Sequence, residues 1–273
     1  MKATTLLAGS AGLAAATSIG QTQPQHIFSN PDSIHEDDFH FPTIRESAAQ
    51  ARKIQHLMTI GNLVTVFPST TNSNDVDALE NRPQDVEGSP IGLMEYYADC
   101  DPHSGNPILL ALDIATPYKN YNQGSNISLS IRWWPTQKNT YSTLESMTSW
   151  MWKQDEDEIP TPHTPAALPR FSLHGHLETV SEERLKDGKI QACFLRSHPD
   201  SIYWQPGNDI HQSHYAQLVV DHVYWFGGFG DRARIGWLPI DVWRNLTMKE
   251  VIEAKLPGEK KHRHSSSWWK MGL

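Results

Sequence analysis

A strict alternation of apolar and polar side chains runs from residue 127 to residue 133. Because side chains two positions apart point to the same side of a strand, this pattern predicts a strand with one buried and one solvated face. The apolar side comprises Ile127, Leu129, Ile131 and Trp133, and the polar side comprises Ser128, Ser130 and Arg132.

A helical period appears earlier in the chain. Thr43 and Glu46 have the spacing of a capping box, which predicts a helix that begins near Thr43 and ends near Gly61. Apolar residues at helical spacing follow the cap, namely Ile44, Ala48, Ala51, Ile54 and Leu57.

Short apolar runs separated by turn residues predict further strands. Ser181 and Pro199 bracket a second predicted helix, which runs from Glu182 to about Ser197. Strands dominate, and closure into a barrel would remove exposed sheet edges. The remaining predicted strands span residues 63–67, 90–97, 108–114, 170–180, 216–226 and 233–238.

Four segments differ from the predicted core in composition. Residues 1–20 combine Lys2 with a short run of Ala, Leu and Gly, which is typical of a secretory signal peptide. We interpret residues 21–42 as a flexible arm, residues 136–167 as an acidic surface insertion, and residues 251–273 as a polar C-terminal tail. This leaves residues 43–250 as the folded domain.

Further features agree with the secretory route. Asn126 and Asn245 begin Asn-x-Ser/Thr sequons, the acceptors of N-glycosylation. Cys100 and Cys193 would pair in an oxidising compartment, or remain as two separate buried thiols, and the sequence leaves both alternatives open. No stretch after residue 20 is long and apolar enough to predict a membrane span.

The net charge of −8 argues against nucleic acid as a partner, because phosphate binding requires a basic patch. The only basic cluster lies at residues 260–264, and we interpret it as solvated tail.

Several motifs in the second half resemble the CREG family within the pyridoxamine 5'-phosphate oxidase-like, FMN-binding split-barrel superfamily. Residues 168–182 resemble the central strand of that fold together with the start of the following helix. The run Phe194-Leu195-Arg196-Ser197-His198-Pro199, followed by Trp204, is similar to an R-x-H-P…W pattern of CREG proteins. The stretch 223–230 and Trp237 also resemble CREG proteins. The resemblance covers roughly residues 45–135 and 168–250.

This resemblance implies a mainly β, α+β fold: a six-stranded antiparallel Greek-key split barrel with flanking helices, usually a homodimer. Flavin-binding members hold FMN at the dimer interface. CREG proteins are secretory or endolysosomal glycoproteins and are not known as flavin enzymes.

The residues that would hold the FMN phosphate are reduced in number here. Flavin-binding members supply basic residues from an early strand, but residues 91–97 contain no base, and Glu95 would repel phosphate. The following turn keeps Thr116 and Lys119 as candidate cofactor-binding residues. One cation where several are expected indicates an eroded flavin site, so FMN remains an alternative and no cofactor is the first expectation.

Two histidines on one strand are weak candidates for metal binding. His174 and His176 share the polar face of a predicted strand, but a metal site requires three or four ligands. The histidines of the tail, His262 and His264, cannot be aligned with any relative. We interpret the strand pair as facing solvent or an interface.

Three functions therefore compete. The first is a non-catalytic, secreted glycoprotein that contacts a protein or glycan partner, with no catalytic residue assigned. The second is an FMN-dependent oxidoreductase of the pyridoxamine 5'-phosphate oxidase type. The third is a haem- or metal-binding barrel.

Overall fold

The computed structural model describes residues 40–69, 82–134, 165–208, 210–228 and 233–257. The predicted signal peptide, most of the arm and of the acidic insertion, and the tail beyond residue 257 lie outside these residues.

Six antiparallel strands close into a barrel in the order β1-β2-β3-β6-β5-β4, and a seventh strand extends the sheet beyond β6. The long strand β6 pairs with β5 along most of its length, with β3 at its start (residues 213–217) and with β7 at its end (residues 223–226). The strands are β1 (Ile60–Val66), β2 (Pro90–Ala98), β3 (Ile108–Leu112), β4 (Ile127–Arg132), β5 (Arg170–Thr179), β6 (Ser213–Phe226) and β7 (Ile235–Leu238). This is the six-stranded split barrel expected from the sequence.

Helices cover one end and part of the outer wall of the barrel. They are α1 (Ile44–Leu57), α2 (Thr116–Asn122), α3 (Glu182–Leu185), α4 (Lys189–Ser197), α5 (Ile240–Arg244) and α6 (Met248–Glu253). The predicted capping box begins α1, since the Thr43 hydroxyl accepts from the Glu46 N–H and the Glu46 carboxylate accepts from the Thr43 N–H.

Cross-strand register brings the apolar side of each strand into the barrel interior. Leu63, Leu129, Leu173 and Val223 face one another across four consecutive strands, and all four are fully buried. Ala48, Ala51 and Ile54 of α1 complete this core at the end of the barrel. Burying such side chains is the main source of stability for the fold.

A close approach of two strands requires a glycine at position 175. The register between β5 and β6 shifts between His174 and Gly175, where a β-bulge leaves Asp221 unpaired. A Cβ atom on Gly175 would lie 1.8 Å from the carbonyl oxygen of Val219. The bulge therefore accepts no side chain at this position.

The second predicted helix is interrupted. Residues 182–197 form two helices because Gly188 adopts a left-handed conformation with φ of 68°, which ends one helical segment and lets α4 begin in a new direction.

The folded domain also continues past residue 250, where the sequence placed the start of a polar tail. Val251 of α6 and Leu256 are buried in the main core, so the residues up to 256 belong to the domain.

A disulfide joins Cys100, after β2, to Cys193 in α4, 93 positions further along the chain. It lies against a second apolar cluster on the outside of the barrel, where Ile190 and Phe194 of α4 pack on Tyr215. The disulfide and this cluster hold α4 on the outer wall.

Candidate functional site

A cavity of about 320 Å³ opens between α2 and the chain that enters β2. Its wall includes both residues predicted from the sequence to bind a cofactor, Thr116 and Lys119, together with Arg82. The remaining lining is apolar and comprises Phe67, Pro83, Val86 and Ile91. Its volume lies at the lower end of the range for small-molecule sites.

Helix α2 is held in position by a buried polar contact. The Asn120 side-chain amide donates to the Thr65 hydroxyl of β1 at 3.1 Å, and both residues are buried. Because Asn120 sits one position after Lys119, this hydrogen bond fixes the part of α2 that carries the cation.

Arg82 adds a second cation that the sequence did not indicate. Its guanidinium lies over the Phe67 ring, 5.8 Å from the ring centroid. Arg82 belongs to a polar, turn-rich stretch, where a single arginine is ordinarily interpreted as solvated loop. Only the tertiary structure brings it to the same cavity as Lys119 and Thr116.

Glu95 does not act as expected from the sequence. It is absent from the cavity lining, and its carboxylate accepts a hydrogen bond from the backbone N–H of Tyr96 at 2.9 Å. Burial raises the pKa of Glu95, and the hydrogen bond from the Tyr96 N–H opposes this shift. Glu95 therefore lies apart from the residues that line the cavity.

The cavity as a whole is suited to an anionic group. Two cations and one hydroxyl line it, and no carboxylate does so among the described residues. This set fits a phosphate, because cations and hydroxyl donors together satisfy its oxygens. If FMN binds, Arg82, Lys119 and Thr116 are the residues that would hold its phosphate.

His174 and His176, two residues of β5, lie in different environments. His176 hydrogen-bonds Asp221 at 3.0 Å, a contact that raises its pKa, and lies 3.4 Å from Glu178. His174 packs against Trp237 with ring centroids 5.4 Å apart, and burial lowers its pKa. Within the described ranges, no group of three or more His, Cys, Asp or Glu side chains is arranged to hold a metal ion.

Both sequon asparagines are exposed. Asn126 directly precedes β4, and Asn245 directly follows α5. Thr247 of the second sequon caps α6, where its hydroxyl accepts from the Glu250 N–H. The side chains of both asparagines thus lie at the surface, where a glycan could be attached.

The motif residue His198 is buried and has a structural role. It ends α4, and Trp204 closes the following 3-10 turn, Pro199–Trp204. Neither residue lines the cavity.

A closed six-stranded antiparallel barrel with one additional strand defines a split-barrel protein. Residues 42–245 match the family model described as "CREG, beta-barrel". The chain belongs to the CREG β-barrel family.

Solved structures with a similar fold include a haem-binding protein from Mycobacterium smegmatis, at 19% identity and a TM-score of 0.47. That match covers 74% of this chain and 60% of the other. The heme storage protein HutZ from Vibrio cholerae has 12% identity and a TM-score of 0.37, with 67% and 91% covered.

A third similar structure comes from Clostridium acetobutylicum. This protein, related to general stress protein 26 and of the pyridoxinephosphate oxidase family, has 9% identity and a TM-score of 0.40, with 72% and 98% covered. At such identities each likeness concerns the fold alone. No curated protein matches the sequence significantly. Over the described residues, none of the helices has both the length and the apolar composition needed to cross a bilayer.

Proposed function

We propose that this protein is a secreted or endolysosomal N-glycoprotein that acts by recognition and not by catalysis. The observation that carries the proposal is the exposure of both sequon asparagines, Asn126 and Asn245, on a folded domain. The Cys100–Cys193 disulfide supports the same compartment, because such bonds persist under oxidising conditions.

The cavity supports binding more than chemistry. Its described polar residues are two cations and a hydroxyl, and no described His, Asp, Glu or Cys lines it that could serve as a general base or nucleophile. The partner is a protein or a glycan, and the protein works as a homodimer, as the family resemblance implies.

The test is expression of the full chain in a secreting eukaryotic host. Wild type should appear in the medium with two glycan mass steps, and Asn126→Gln and Asn245→Gln should each lose one step. Sedimentation should give twice the chain mass. Retention in the cytosol, or the absence of both mass steps, would overturn the secretory proposal.

The second candidate function is FMN-dependent oxidoreduction, favoured by the meeting of Arg82 with Lys119 and Thr116. Bound FMN would supply hydride and electron transfer, and the chain's own contribution would be to hold the phosphate. Because the chain would hold the phosphate, its affinity for FMN should differ from its affinity for riboflavin, which lacks the phosphate.

A binding titration with both flavins tests this candidate. FMN should bind more tightly than riboflavin, and Arg82→Ala or Lys119→Ala should weaken FMN about tenfold to a hundredfold, as expected for a charge-assisted hydrogen bond. Lys249→Ala, an exposed cation on α6, serves as the control. No flavin absorbance after desalting would leave recognition as the function.

The third candidate is haem or metal binding, and within the described residues neither His174 nor His176 belongs to a group of three or more side chains that could hold a metal ion. A Soret band on haem titration that is lost in His174→Ala would restore it.

A further inference from the structure

The outer face of strands β4 to β7 carries an exposed platform of hydroxyl and aromatic side chains. Cross-strand register places Ser130, Ser172, Tyr224 and Trp237 in one row across the four strands. Ser128, His174 and His222 form the adjacent row. We call these seven residues the serine–aromatic face.

Trp237 dominates this face. Its side chain is 60% exposed although Tyr224 and His222 pack on it at steep angles, with ring centroids 5.1 Å and 6.1 Å away. These neighbours hold the indole in a fixed orientation and leave much of its apolar surface in water. A large exposed aromatic ring at a defined position indicates a contact surface.

The chemistry beside the indole is that of a sugar-binding surface. No hydrogen bond within the described part of the chain engages the hydroxyl of Ser130 or of Ser172. A sugar ring has an apolar C–H surface that packs on an aromatic ring and hydroxyl groups that bond to neighbouring hydroxyls. Trp237 next to a row of serines offers both kinds of contact.

A sequon asparagine lies at the start of the first strand of this face. In β4, Ile127, Leu129 and Ile131 point into the core, and Ser128 and Ser130 point outward. One further step of this alternation places the exposed Asn126 on the outward side. Asn126 then lies two rows along and three strands across from Trp237, about 20 Å by ordinary strand dimensions. An oligosaccharide of several sugar units spans that distance.

We propose that the N-glycan on Asn126 folds back over the serine–aromatic face and packs its sugar rings against Trp237. This inference rests on the proposed function, since it requires Asn126 to be glycosylated. The glycan is then part of the domain's surface and covers an apolar patch that the polypeptide leaves open.

The other sequon provides an internal control. Asn245 follows α5, and its backbone carbonyl accepts a hydrogen bond from Arg45 of α1 at 3.0 Å. Its glycan is therefore attached at the helical end of the barrel, outside the rows of strand side chains.

The first experiment measures enzymatic release of both glycans from the native, secreted protein by peptide N-glycosidase, followed site by site with mass spectrometry. Trp237→Ala should accelerate release at Asn126 several-fold and leave Asn245 unchanged. Tyr203→Ala, which removes an aromatic side chain that is 73% exposed elsewhere, should change neither rate. An unchanged rate at Asn126 in Trp237→Ala would overturn the proposal.

The reciprocal experiment does not depend on the folding of a Trp237 variant. Hydroxyl-radical footprinting of Asn126→Gln should show a several-fold faster oxidation of Trp237 and Tyr224 than in wild type, whereas Asn245→Gln should match wild type. Protection that persists in Asn126→Gln would assign the face to another occupant, such as a second copy of the chain, and overturn the proposal. An Asn126 that carries no glycan in wild type would overturn this inference alone if Asn245 is glycosylated, and the glycoprotein function as well if Asn245 also carries none.

Discussion

The imidazole of His198 lies flat on the ring of Tyr96, with ring centroids 4.1 Å apart and 9° between the planes. Its Nε2 donates to the backbone carbonyl of Tyr97 at 3.0 Å, and the Tyr96 hydroxyl donates to Asp200 at 2.8 Å. These contacts join the end of α4 to β2. The family motif residue His198 therefore maintains the position of a helix.

The burial of His198 predicts a pH dependence of stability. Burial lowers the pKa of His198 below its ordinary value, so the unfolded chain takes up a proton more readily than the folded one. This contribution to stability is complete above the unfolded pKa of about 6.5 and is lost as the pH falls through the lower, folded pKa. The unfolding free energy, measured by denaturant titration, should decrease between about pH 7 and pH 5.

The variant His198→Gln should reduce this pH dependence, because an amide can donate to the Tyr97 carbonyl without titrating in this range. His103→Gln, which replaces an exposed histidine, is the matched control and should keep the wild-type slope. An unchanged slope in His198→Gln would show that other groups cause the acid sensitivity.

Gly175→Ala should destabilise the barrel by about 2–4 kcal/mol, since the new methyl group collides with the Val219 carbonyl and the bulge must shift. Thermal unfolding followed by circular dichroism measures the effect. Gly92→Ala is the control, because its Cβ would meet only the Val64 side chain at 3.4 Å. Equal melting temperatures for the two variants would contradict this account of the bulge.

Two arginines on α1 should respond very differently to replacement by methionine. Arg52 is buried and donates to the carbonyls of Trp243 and Pro102, so Arg52→Met leaves buried acceptors without donors and should cost about 2–4 kcal/mol. Arg45 pairs with Glu250 at the surface, where solvent screens the ion pair, so Arg45→Met should cost far less than Arg52→Met. Denaturant unfolding of both variants checks the difference, and similar losses would contradict it.

Removal of the disulfide should lower stability by about 2–5 kcal/mol, because the bond closes a long loop in the unfolded chain. The double variant Cys100→Ser/Cys193→Ser should unfold at lower denaturant than oxidised wild type and should not respond to reductant. Wild type in reductant should approach the double variant. Equal midpoints with and without reductant would indicate that the bond contributes little.

Local patterns in the sequence predicted most elements of the fold. The capping box of Thr43 and Glu46, and the alternation from Ile127 onward, depend on residues close in sequence and are confirmed. The helix predicted over residues 182–197 was wrong in its middle, because the handedness of the backbone at Gly188 is not visible in an apolar pattern.

The candidate cavity was predicted only in part. Thr116 and Lys119 lie one helical turn apart, so their meeting follows from local geometry. Arg82 reaches them because β1 and β2 pair and return the chain to α2. From its residue type, Glu95 was expected to repel a phosphate. Strand register decides where its side chain lies, and Glu95 does not line the cavity.

The sequence by itself determined the strand-rich class, the α1 cap, both sequons and the family resemblance, since each depends on residue type and short-range spacing. The tertiary structure alone decided which distant residues meet: Arg82 with Lys119 in one cavity, and His198 with Tyr96. Such encounters depend on strand register, where a shift of one residue turns every side chain to the opposite face.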